Sequence, residues 1–95
     1  TVILPHATAY NRAAAPEAMR LIAAALGAED AARGLYDLAK RLGAPVSLAE
    51  IGMKEEDLDR AAELATKTPY PNPRPVERGP LRQLLDDAWR GKRPR

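Results

Sequence analysis

The chain is 95 residues long, with no cysteine, one histidine and a formal net charge of +2 at pH 7. That length allows one domain on a single core and excludes a nucleotide-binding domain joined to a substrate domain. Disulfides, thiolate metal sites and cysteine nucleophiles are excluded, and a lone histidine does not make a histidine metal site by itself.

No apolar run approaches the roughly 20 residues that cross a bilayer, and no basic stretch leads into a signal-like core. Hydrophobic residues make up 45% of the chain, but alanine dominates, Phe is absent and aromatics are 4%. Much Ala and Leu with few β-branched residues predicts helices. Alanine-rich helices approach closely and bury little area each, so the core is expected to be thin. Charge is uneven: residues 1–73 hold 8 basic and 10 acidic side chains, and residues 74–95 hold 7 basic and 3 acidic. The basic character therefore belongs to the C-terminal end, not to a broad face.

The opening Thr1-Val2-Ile3-Leu4-Pro5 is apolar and reads as a cut through a buried element. It suggests a fragment with an exposed apolar patch around residues 1 to 10. Pro5 suits a first helical turn, and His6 to Ala14 continues it with Ala7, Tyr10 and Ala14 on one side. Pro16 starts a second helix whose stripe is Met19, Ile22, Ala23 and Leu26. Glu17 favours its dipole and Gly27 ends it. Glu29 and Asp30 open a third, with Ala31, Leu35, Leu38, Ala39 and Leu42 as its stripe and Gly43-Ala44-Pro45 as its stop.

Ser47 to Glu50 has capping-box spacing and predicts one short turn. Lys54 to Lys67 reads as a helix with Leu58, Ala61, Ala62 and Ala65 inward and Leu64 beside them. Five prolines at 69, 71, 73, 75 and 80 rule out helix there. Residues 69–79 are thus a proline-rich arm, expected to strap Tyr70 and Val76 onto the helices. Pro80 starts the last helix, with Leu81, Leu84, Leu85 and Ala88 inward and Trp89 closing the core. Residues 90–95 are a basic tail, expected to fray. The fold class is all-α: a single domain over 1–95, four to five helices in a bundle, with the arm before the last helix.

Chemistry-bearing motifs are scarce. There is no glycine-rich phosphate loop, nucleophile elbow or metal-ligand spacing. His6 and Tyr10, four residues apart on one helix, could share a face lining a cleft. The plainer reading of His6 is a helix-start histidine satisfied by a nearby carbonyl. Glu55, Glu56, Asp57, Asp59 and Glu63 point in different directions and read as a solvated helix start. Asp86 is spaced to pair with Arg82 and Arg90, and Asp87 beside it reads as outward-facing. The tail is too narrow for a nucleic-acid face.

The run Val2-Ile3-Leu4-Pro5-His6-Ala7-Thr8-Ala9-Tyr10-Asn11, with Ala15-Pro16-Glu17-Ala18-Met19, resembles the C-terminal helical domain of the iron-type (group III) alcohol dehydrogenase superfamily, a dehydroquinate synthase-like fold. Within it, the chain is similar to the maleylacetate reductases through Gly34-Leu35-Tyr36-Asp37-Leu38-Ala39, Leu42-Gly43-Ala44-Pro45, Leu58 to Ala65, Asn72-Pro73-Arg74-Pro75-Val76 and Leu84 to Trp89.

The resemblance implies an oxidoreductase that reduces maleylacetate to 3-oxoadipate in bacterial breakdown of aromatic compounds. NADH or NADPH is the implied cofactor of the parent enzyme, and a divalent metal is left open there. The implied partners are the missing N-terminal part of the same enzyme, a small dicarboxylate substrate and a second copy in a cytoplasmic homodimer, with no nucleic acid or membrane. Family metal ligands and the pyrophosphate loop fall before Thr1. No catalytic, cofactor-binding or metal-binding residue is therefore carried over, and only His6 and Tyr10 stand as substrate-cleft candidates. The chain alone is expected to bind no cofactor and to be inactive. The alternatives are another iron-type alcohol dehydrogenase and a stand-alone helical interaction module.

Overall fold

The computed structural model describes residues 2–67 and 71–94. It contains five helices and, among the described residues, no strand: α1 Ile3–Asn11, α2 Pro16–Leu26, α3 Ala31–Arg41, α4 Leu58–Lys67 and α5 Arg78–Arg90. Short 3-10 turns occupy Arg12–Ala14 and Glu55–Asp57. Helix α1 lies between α3 and α5, with α2 packed on the far side of α3 and α4 on α5. The all-α expectation holds.

Local chemistry sets the boundaries. Helix α1 already runs at Ile3, so Pro5 is the third helical residue, where its missing N–H costs no intrahelical bond. Pro16 takes the first position of α2, and Gly27 at φ 64° ends it with its N–H on the Ala23 and Ala24 carbonyls. Asp30 is the cap of α3 rather than its first residue: its carboxylate accepts from the Arg33 N–H at 2.9 Å. Helix α5 begins at Arg78, two residues before the expected Pro80. The Ser47 turn forms as expected, with the Glu50 N–H donating to Ser47 Oγ at 3.1 Å.

The core is thin. Val2, Leu48 and Ala88 form its centre, with Ile3, Met53, Leu85 and Trp89 packed against them. Trp89 does close it: the indole Nε1–H donates to the Met53 carbonyl at 2.8 Å. The loop before α4 also caps the end of α5, since the Leu48 N–H donates to the Ala88 carbonyl at 3.0 Å.

Several expected faces are shifted. On α1 the buried residues are Pro5, His6 and Thr8, while Ala14 falls in the 3-10 turn beyond the helix end, where α-helical spacing no longer applies, and is exposed. On α3 the buried large side chain is Tyr36, and Leu42, beyond the helix end, is 75% exposed. Leu64 on α4 also faces outward, while Leu58 and Ala62 are fully buried. The α2 stripe is correct in direction: Met19, Ile22, Ala23 and Leu26 are half-buried, and none is fully buried.

The opening segment is not an exposed patch. Val2 is in the core and Pro5 is buried, with only Leu4 among the large hydrophobics of that stretch left out. Nor does the C-terminal end fray as far as it is described. Arg93 grips Asp37 with two guanidinium nitrogens at 2.7 and 3.0 Å, and Pro94 is buried.

Candidate functional site

His6 and Tyr10 stand one turn apart on α1, and the structure brings both to a single cavity of about 510 Å³ between α1 and α5. Gln83, Leu84 and Asp87 of α5 and Pro94 complete its wall. The shared face that the spacing predicts is therefore real, but the two side chains have different roles in it.

His6 is 5% exposed. No carbonyl satisfies it: its Nε2 is sealed from solvent without a hydrogen-bond partner among the described residues. Burial pushes the imidazole pKa below its usual 6.5, and the Asp87 carboxylate pulls back only in part. The ring is thus neutral at pH 7.

Tyr10 faces the proline arm with its polar end. Its hydroxyl donates to the Pro75 carbonyl at 2.6 Å and accepts from the Glu77 N–H at 3.2 Å. The Arg74 guanidinium lies 4.1 Å from its ring centroid, in cation–π range. Asn11, the next residue, accepts from the Asn72 amide at 2.7 Å and from the Arg74 N–H at 3.2 Å. Two successive residues of α1 thereby clasp the arm across more than 60 positions of sequence. These bonds tie the described part of the arm to α1, and Val76 of the arm lines a cavity together with Leu81 and Leu84. Tyr70 lies outside the described residues.

Sequence reading missed Asp87 and Gln83 as neighbours of His6, since Asp87 looked like part of an outward charged face. The signal available was weak: Asp87 lies one turn after Gln83, whose amide donates to it at 3.0 Å. The other acidic residues behave as expected. Asp86 pairs with Arg90 at 3.0 Å and with Arg82 at 3.7 Å. Asp59 at the start of α4 reaches across to Arg82, and Glu55 in the 3-10 turn before it reaches Arg90. Among the described residues no group of three or more His, Cys, Asp or Glu side chains could hold a metal. These residues do not fit a metal centre, and none of them supplies a nucleophile with an adjacent base.

The described residues thus form a helical layer with a clasped arm, and comparison with known proteins places it in a family. The chain belongs to the Fe-containing alcohol dehydrogenase family, whose C-terminal model matches residues 1–89. It is 60% identical over 99% of its length to the maleylacetate reductase of Burkholderia cepacia, covering 27% of that protein.

Among solved structures it superposes on the maleylacetate reductase of Agrobacterium tumefaciens with a TM-score of 0.92 at 50% identity, over 98% of this chain and 26% of that one. The maleylacetate reductase of a Rhizobium species gives a TM-score of 0.92 at 52% identity, with 98% of this chain and 26% of that one covered. The chain thus spans about a quarter of the length of the relatives it matches. None of the helices among the described residues is long and apolar enough to cross a membrane.

Proposed function

We propose that these 95 residues are the C-terminal helical part of an NAD(P)H-dependent maleylacetate reductase, a cytoplasmic homodimer that reduces maleylacetate to 3-oxoadipate. The observation that carries this reading is 60% identity to a maleylacetate reductase across 99% of the chain. When bound, the reduced nicotinamide supplies a hydride to one carbon of the substrate double bond, and a proton completes the other. The cofactor, and a divalent metal where the parent uses one, are held by residues outside this chain.

The contribution of the chain itself is positional. Helix α1 is braced on α3 and α5 and tied to the arm through Tyr10 and Asn11. It presents His6 and Tyr10 on a wall of the substrate cleft. The wall excludes water and keeps its shape while the rest of the enzyme does the chemistry.

The test is turnover by the full-length enzyme that contains this chain. With NADH or NADPH present, oxidation of the nicotinamide should depend on maleylacetate and yield 3-oxoadipate. Oxidation of simple alcohols without reduction of maleylacetate would instead assign another iron-type alcohol dehydrogenase. The 95-residue chain alone should show neither activity.

A further inference from the structure

We draw no further inference here: the strongest candidate, the largely apolar cavity of about 210 Å³ between α1, α4, α5 and the proline arm, has no charged side chain on its described wall, and nothing in the structure shows what covers it.

Discussion

The Tyr36 hydroxyl donates to the carbonyl of Gly91 at 2.8 Å, joining the middle of α3 to the residue that ends α5. Gly91 adopts φ 71° there, and a β-carbon on it would stand 2.9 Å from the Ser47 β-carbon. The position thus needs glycine for its backbone and for its space. Tyr36→Phe should lower stability by about 1–2 kcal/mol by leaving a half-buried carbonyl unpaired. Gly91→Ala should cost about 1–3 kcal/mol through the strained backbone alone, with the Ser47 contact adding to it. Denaturant unfolding of the full-length protein, read as a shift in midpoint at constant slope, checks both. Equal stability of Gly91→Ala and the parent would refute the close approach.

Among the described residues, Leu58 is the largest side chain that is completely buried. Leu58→Ala should remove about 3 kcal/mol, the lost burial adding to the cost of a cavity that its neighbours fill only in part. Thermal unfolding would show this as a fall of several degrees, and a negligible shift would mean that the surroundings of Leu58 collapse onto the smaller side chain.

The neutral His6 makes stability depend on pH in a definite direction. Its folded pKa lies below the unfolded value of 6.5, so the unfolded state takes up the proton first as pH falls. The stability contribution is therefore complete above about pH 7.5 and declines as pH drops through 6.5 toward the lower folded value. Thermal midpoints from about pH 7.5 to about pH 5 should fall more steeply for the parent protein than for His6→Gln. Parallel curves would contradict it.

The clasp on the proline arm can be read one amide at a time. The Glu77 N–H donates to Tyr10 and the Arg74 N–H donates to Asn11. Tyr10→Phe should accelerate hydrogen exchange at Glu77, and Asn11→Ala should do so at Arg74, with amides of α3 unaffected. Exchange that spreads through α3 in either variant would show that the arm is not a separable unit.

What the sequence disclosed follows from how local each determinant is. Pro16, Gly27, Asp30 and Gly43 act on their own turn, so helix ends were readable to within a residue or two. The half-buried stripe of α2 was readable because that helix packs mainly on α3. Tyr36 was passed over, and Leu42 and Leu64 were misread, because burial on α3 and α4 depends on where distant elements land. Tyr36 is claimed by Gly91, 55 positions away, and Leu42 falls past the helix end, where the periodicity no longer applies. The same limit hid the wall around His6. Spacing placed Tyr10 beside it, but Asp87 comes from the far end of the chain, and no local pattern announces that meeting.

The small cluster that joins Val2 to Leu48 and Ala88 carries a consequence for biosynthesis. A ribosome emits Val2 long before Ala88, and until α5 emerges the first helix has only α3 to pack against. Its apolar residues must wait in a nascent chain without their final partners, since contacts of such sequence separation form late. Truncation anywhere within α5 should therefore leave a product that chaperones retain and proteases clear, however well α2 and α3 form on their own.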